Sequence, residues 1–314
     1  MYHELERAGE AVRLLGVVDS KPARADSVAQ EFGCRSFGSV HQLLTTHSEL
    51  QAASVAVPTV HHLRVAGELM KAGVDVLIEK PLAASLAEAN ELVRLAADHG
   101  SIAQVGHLER FNPAVRATAS LITQPMFFEV HRLSVFSPRS LDVDVVLDLM
   151  IHDLDVVLSF VDSPVREIRA VGLPILSRKV DIANVRLEFE SGCVANFTAS
   201  RVSTERVRKL RFFQPQQYIS LDYGRQDVLV FSVGKANEPA TVPSVNPQIS
   251  VAKPEIVREE PLRAELRALL ECVRSRSKPV VSVVDGRRAL EVALKIVAAI
   301  ESHSDRIQLE SLRP

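Results

Sequence analysis

Tryptophan is missing from this chain, aromatic residues make up only 5%, and cysteine occurs three times in 314 residues. Cys34, Cys193 and Cys272 are odd in number and widely spaced. They suit neither a disulfide framework nor a zinc cluster, and read as buried thiols of a reducing, cytoplasmic protein. Neither sign of charge is in excess: 37 Lys and Arg stand against 39 Asp and Glu. That balance argues against nucleic acid as a partner. No apolar run approaches the length of a membrane span, and the first residues lack the apolar core of a signal peptide, so no membrane role is expected. The absence with most consequence is a glycine pattern. The motif G-x-G-x-x-G occurs nowhere.

What is present suits two domains: 46% hydrophobic and 24% charged residues over a length that one core rarely spans. Leu14-Leu15-Gly16-Val17-Val18-Asp19 reads as a short buried strand ending in an acid, followed by a helix from Pro22 to Phe32. A second strand, Ala53–Thr59, leads into a helical pattern ending at Lys71 and Gly73. Val74–Glu79 is a buried, β-branched strand closed by Lys80-Pro81. Ser85 and Glu88 form a capping-box pattern for the next helix, Gly100 stops it, and Ile102–Gly106 is a further strand. Alternating strand and helix predict βαβ units and a parallel sheet over residues 1–107.

In such a sheet ligands sit at the carboxyl ends of the strands. Lys80 lies there, either as a solvated charge or as a working group in a cleft. Asp19, ending an early strand, reads as an acceptor for adenosine ribose hydroxyls, favouring NAD over NADP, or else as a turn-forming Asp. The strand that should carry the glycine turn does not occur before Met1–Glu10, so the fold is expected to be N-terminally incomplete. Its sheet edges at Leu14–Val18 and Ala53–Val57 are then expected to be unpaired. The alternative is a sheet built differently.

Residues 108–314 read as a second, α+β domain. Gly106-His107-Leu108-Glu109-Arg110-Phe111-Asn112-Pro113 is a loop or helix entry, where Arg110 is either a rim charge or a grip for an anionic or polyhydroxyl ligand. Asp142–Val161 predicts a buried helix with Val145, Val146, Leu149, Val156 and Phe160 as core. Asp148, His152 and Asp155 fall at i, i+4 and i+7 on it, a polar stripe that lines a cavity or forms internal hydrogen bonds. No further His or Cys cluster completes a metal shell, so no metal is assigned. Strands are predicted at 166–171, 182–190, 194–200, 207–213, 218–221 and 228–233, joined by short turns into an antiparallel sheet. Ala236–Pro254 reads as a loop-rich excursion or dimer arm. Helices follow at Leu262–Val273 and over 285–301, the latter a candidate to pack back on the first domain.

The motifs Gly16-Val17-Val18-Asp19, Val57-Pro58-Thr59 with His61-His62, Glu79-Lys80-Pro81-Leu82-Ala83, Gly106 through Pro113, and Asp148-Leu149-Met150-Ile151-His152-Asp153 stand in one order along the chain. Together they resemble the Gfo/Idh/MocA family of oxidoreductases. The resemblance implies a Rossmann-like parallel sheet, here lacking its first strand, followed by an open-faced antiparallel sheet that forms homodimers or homotetramers. It implies reversible NAD(P)-dependent oxidation of a sugar or polyol carbinol, with NADP less expected than NAD. Lys80, Asp148 and His152 would be catalytic. Asp19, Ser20, Pro58, Thr59, His62, Glu79, Lys80, Pro81 and His107 would contact the cofactor. Lys80, Arg110, Asn112, Asp148 and His152 would contact the substrate. The Arg110-Phe111-Asn112-Pro113 segment is similar to that of nucleotide-sugar members such as UDP-N-acetylglucosamine 3-dehydrogenases. A free sugar, inositol or another polyol is the alternative substrate. A non-catalytic sugar-nucleotide binder is the alternative role. The chemistry expected is proton removal from a secondary hydroxyl by an imidazole, which titrates near neutrality. A desolvated lysine would bond the hydroxyl or relay its proton.

Overall fold

The structure, a computed structural model, describes residues 1–137, 143–234 and 248–306. It divides into two units, Met1–Leu108 with Glu260–Arg287, and Glu109–Glu259 with Arg288–Pro314. Among the described residues no helix is long and apolar enough to cross a membrane.

The first unit opens with α1 (Tyr2–Arg7), β1 (Gly16–Val18), α2 (Pro22–Phe32), β2 (Arg35–Phe37), α3 (Val40–Thr46) and β3 (Ala52–Val55). It continues with α4 (His62–Lys71), β4 (Asp75–Glu79), α5 (Leu86–Asp98) and β5 (Ala103–Gly106). Local chemistry sets the boundaries. Pro22 opens α2, whose stop is Gly33 at φ 65°, a left-handed position open to glycine. Ser85 accepts from the Glu88 amide at 3.2 Å, and Glu88 Oε2 accepts from the Ala84 amide at 3.0 Å, the expected capping box displaced by one residue. β2 and α3 were not apparent from the sequence, because a three-residue strand carries too few alternations to register.

The parallel ladder is in two pieces. β1 pairs with β2, and β3, β4 and β5 form a separate three-stranded sheet with β4 at its centre. Among the described residues β1 and β3 each pair on one side only, the break expected where a mid-sheet strand would lie. Helix α1 lies against β3: the Tyr2 hydroxyl is 2.8 Å from Ser54 Oγ. Leu5 is buried in one apolar cluster with Leu77, Ile102, Leu266, Leu269 and Cys272.

The second unit contributes α6 (Pro113–Ala119), β6 (Phe127–Val135), a π-helical turn at Val146–Met150, α7 (Ile151–Phe160) and β7 (Val165–Leu173). β8 (Ile182–Phe189), β9 (Val194–Ser203), β10 (Val207–Gln214), β11 (Gln217–Asp222), β12 (Asp227–Gly234) and β13 (Gln248–Ala252) follow. These strands form one sheet in the order β13-β12-β11-β10-β6-β9-β8-β7. It is mixed, not purely antiparallel as expected, because β6 and β9 pair in parallel. The crossover that parallel pairing requires contains the π turn and α7, so the informative helix connects strands of its own sheet. β6 was not predicted. β13 lies inside the stretch expected to be loop and pairs with β12, while 236–247 of that stretch, like Asp142, lie outside the described residues.

Inward-facing Phe128, Val130, Val185, Leu187, Phe197, Leu210 and Phe212 pack with Met150, Ile151, Leu154 and Val157 in one core. α8 (Pro261–Ser275), expected in the second domain, packs in the first unit, where Gln104 Nε2 donates to the Glu265 carbonyl at 3.1 Å. Only the first turn of α9 (Val283–Arg306) counts with the first unit. Its Ala289, Val292, Ala293, Ile296 and Ile300, spaced three and four apart, enter the core of the second.

Candidate functional site

In the first unit the strand ends carry the candidate groups. β1 ends at Asp19, whose Oδ1 accepts the Lys21 amide at 2.8 Å and whose Oδ2 is 3.5 Å from Arg24 Nη1. The turn role weighed from the sequence is therefore real, and the carboxylate still stands at the carboxyl end of its strand. Ser20 beside it is exposed. β4 ends at Glu79, which pairs in register with Gly106 of β5. A Cβ on residue 106 would fall 2.9 Å from Glu79 Oε2 and 3.3 Å from Glu79 Cα, so only glycine lets the Glu79 carboxylate lie over that strand end. Lys80 and Pro81, half-buried and joined by a cis peptide bond, follow directly. Pro58 is exposed, Thr59 half-buried and His107 buried.

His62, expected to contact the cofactor, is a strut. It is 1% exposed, its Nδ1 faces the carbonyls of Pro81 and Leu82 at 3.0 and 3.2 Å, and its Nε2 faces the Val57 carbonyl at 2.9 Å. The ring is wedged between the turn after β3 and the turn after β4, and whichever nitrogen carries the proton donates to one of their carbonyls.

In the second unit Asp148 lies in the π turn and His152 in the first turn of α7, both half-buried. Single π turns inside helices often mark functional positions. Asp155, 2% exposed, is 3.5 Å from Arg110, which is thus held against the same helix.

Asn112, expected to touch substrate, is a helix cap. Its Oδ1 accepts the Ala114 amide at 3.1 Å, and its Nδ2 donates to Glu109 Oε2 at 3.1 Å and to the Tyr223 carbonyl at 3.0 Å. With 2% exposure and both amide atoms engaged, it has nothing to offer a ligand.

Arg132 escaped the sequence reading, in which Glu109 and Asp153 stand inside motifs with no role of their own. Arg132 on β6 is buried between Asp153 and Glu109, with its guanidinium carbon 5.2 Å from the centre of the Tyr223 ring. Burial opposes its charge, but Asp153 and Glu109 outweigh that and raise its pKa. Burial likewise pushes the Tyr223 phenol well above its ordinary range. The signal was available once β6 was seen: alternation puts Arg132 on the inward face with Phe128 and Val130.

Residues 1–107 match the oxidoreductase family with an NAD-binding Rossmann fold, Gfo/Idh/MocA, and residues 122–216 match that family's C-terminal domain. A UDP-N-acetylglucosamine 3-dehydrogenase from Acidithiobacillus ferrooxidans is 35% identical over 295 residues, covering 94% of this chain and 92% of the relative. The chain belongs to the Gfo/Idh/MocA oxidoreductase family. A crystal structure of the Acidithiobacillus enzyme superposes on this oxidoreductase with a TM-score of 0.86, at 33% identity over 96% of this chain and 94% of that one. A scyllo-inositol 2-dehydrogenase (NAD(+)) from Bacillus subtilis is 24% identical over 90% of this chain and 84% of its own length.

This Gfo/Idh/MocA member is an NAD-dependent oxidoreductase. The Asp19 carboxylate at the end of β1 and the polar Glu79 and Lys80 at the end of β4 fit a dinucleotide at the strand ends. The chain carries no glycine-rich turn to hold the pyrophosphate.

Proposed function

We propose that the protein transfers a hydride between NAD and a secondary alcohol of a nucleotide sugar, the 3-position of UDP-N-acetylglucosamine. The observation that carries this reading is similarity to the Acidithiobacillus enzyme along nearly the whole of both chains.

Bound NAD supplies the hydride acceptor. Asp19, Thr59, Glu79 and Lys80 would hold it, with Ser20, Pro58, Pro81 and His107 beside them. His152 takes the proton of the reacting hydroxyl, and Asp148, four residues earlier in the same helical segment, orients the imidazole and stabilises its charged form. Lys80 bonds the hydroxyl or relays its proton, and Arg110 grips the substrate. Positioning of the carbinol contributes a large share of the rate.

A free polyol is the second reading, favoured by the likeness to the Bacillus dehydrogenase and by the Arg110–Asp155 pair, which offsets charge that a diphosphate would otherwise meet. Initial rates of NADH formation with UDP-N-acetylglucosamine, N-acetylglucosamine and scyllo-inositol separate them. Turnover with the nucleotide sugar alone is expected. Turnover only with inositol overturns the substrate, and failure to bind NADH in a titration points to a non-catalytic sugar-nucleotide binder.

The protein works as a homodimer or homotetramer in the cytoplasm. The support for assembly is an aromatic ladder on the sheet face opposite the core. Phe213, Tyr218 and Phe231 stack at successive ring-centre distances of 4.9 and 5.2 Å, with Phe127 tilted against Phe213 at 5.7 Å, and exposed Val233, Ile249 and Val251 flank them. The cytoplasmic reading is supported by free thiols at Cys34, Cys193 and Cys272.

A further inference from the structure

Arg132 is the joint of a buried ionic network in the second unit. It is 4% exposed and grips Asp153 of α7 through two bonds, Nε to Oδ2 at 2.5 Å and Nη2 to Oδ1 at 2.8 Å. Its Nη1 and Nη2 also both reach Glu109 Oε1 at 3.1 Å. The residue after Glu109 is Arg110, and the residue before Asp153 is His152. Each arm of the fork therefore ends one residue from a group assigned to the substrate. Asp155, three residues after His152, closes the loop by meeting Arg110 at 3.5 Å.

As a device for stability this network is inefficient. Buried ion pairs repay their desolvation poorly, and well-packed apolar replacements are often neutral or stabilising. A planar fork bonded to two carboxylates does something an apolar cluster does not: it fixes the register of the segments carrying them. We propose that Arg132, through Glu109 and Asp153, is a positioning residue that sets the turn bearing Arg110 against the helix bearing His152. The proposal rests on His152 as the proton acceptor and Arg110 as a substrate group.

Arg132→Met alone would leave two buried carboxylates unpaired, so the test uses the neutral triple variant Arg132→Met/Glu109→Gln/Asp153→Asn, with Arg132→Lys in parallel. Circular dichroism checks the fold of each. Turnover of UDP-N-acetylglucosamine by the triple variant is expected to fall by about a hundredfold, the scale of a misplaced catalytic group. The KM for NAD is expected to stay within about threefold. Arg132→Lys, which keeps charge but loses the fork, is expected to lose at least about tenfold. In a His152→Ala background, at saturating sugar nucleotide, the triple substitution is expected to cost no more than about threefold further, since the base it positions is gone and the Arg110 arm acts on binding.

Equal losses in both backgrounds would mean a general effect on the fold and would overturn the proposal. So would wild-type turnover in the folded triple variant. If His152→Ala itself retains turnover, the assignment of the base falls, and calorimetric binding of the nucleotide sugar decides the rest. Binding about tenfold weaker in the triple variant, and no weaker when Arg110→Ala is added, keeps the proposal for the Arg110 arm; unchanged binding removes it.

Discussion

Gln104 on β5 donates its side-chain amide to the main-chain carbonyl of Glu265 on α8 at 3.1 Å, and the Glu265 carboxyl beside that bond is buried, with Oε1 lacking a hydrogen-bond partner among the described residues. Burial, then the nearby charges of Glu79 and Glu260, push its pKa up to about 8. A glutamate in the unfolded chain ionises near its ordinary value of about 4.3, so between that pH and 8 the native state holds a proton that the unfolded state has released.

It follows that stability falls as pH rises through that window. The destabilising contribution of Glu265 is expected to reach on the order of 5 kcal/mol by pH 8, and Glu265→Gln is expected to remove it. Urea unfolding at pH 5 and pH 8 checks this. Equal pH slopes in wild type and variant would show that Glu265 is ionised at neutral pH.

Asn112→Ala is expected to destabilise the second unit by about 2–3 kcal/mol, from a lost cap and from buried partners left unsatisfied. The KM for the sugar nucleotide is expected to stay within about threefold where the variant is folded. A large rise in KM with an unchanged unfolding midpoint would restore Asn112 as a substrate contact.

His152→Ala and Lys80→Ala are each expected to lose at least about a hundredfold in turnover, the scale of general acid–base catalysis. Steady-state rates with NAD and UDP-N-acetylglucosamine measure this. Either variant retaining turnover within about threefold of wild type would remove that residue from the proton chemistry.

Tyr218→Lys places a charge in the middle of the aromatic ladder, where its ring stacks on Phe213 and Phe231. Sedimentation equilibrium is expected to show a dimer or tetramer for wild type and a monomer with the same circular dichroism for the variant. A monomeric wild type would leave the ladder without an assembly role.

Much of the first unit was legible because its cues are local. The capping box at Ser85, the stops at Gly73 and Gly100 and the β-branched run through β4 act within a few residues, and the structure places elements where they point. The division of the parallel strands was also expected from the sequence: among the described residues β1 pairs only with β2, and β3 only with β4. The parallel β6–β9 pair, β13 and the place of α8 were not legible. Each depends on a partner far along the chain and leaves no local signature.

At the candidate site the sequence by itself determined which residue types stand at strand ends and along one helix: Asp19, Lys80, Asp148 and His152. That follows from periodicity and strand punctuation, which short-range sterics impose. Tertiary structure alone decided which polar residues are already spent. His62 and Asn112 have the right chemistry for a ligand, but buried backbone groups claimed both, because an unpaired carbonyl or amide in the interior costs more than a surface contact returns. Arg132 stands on a strand with no motif around it, and only the meeting of three distant segments made it the joint between Glu109 and Asp153.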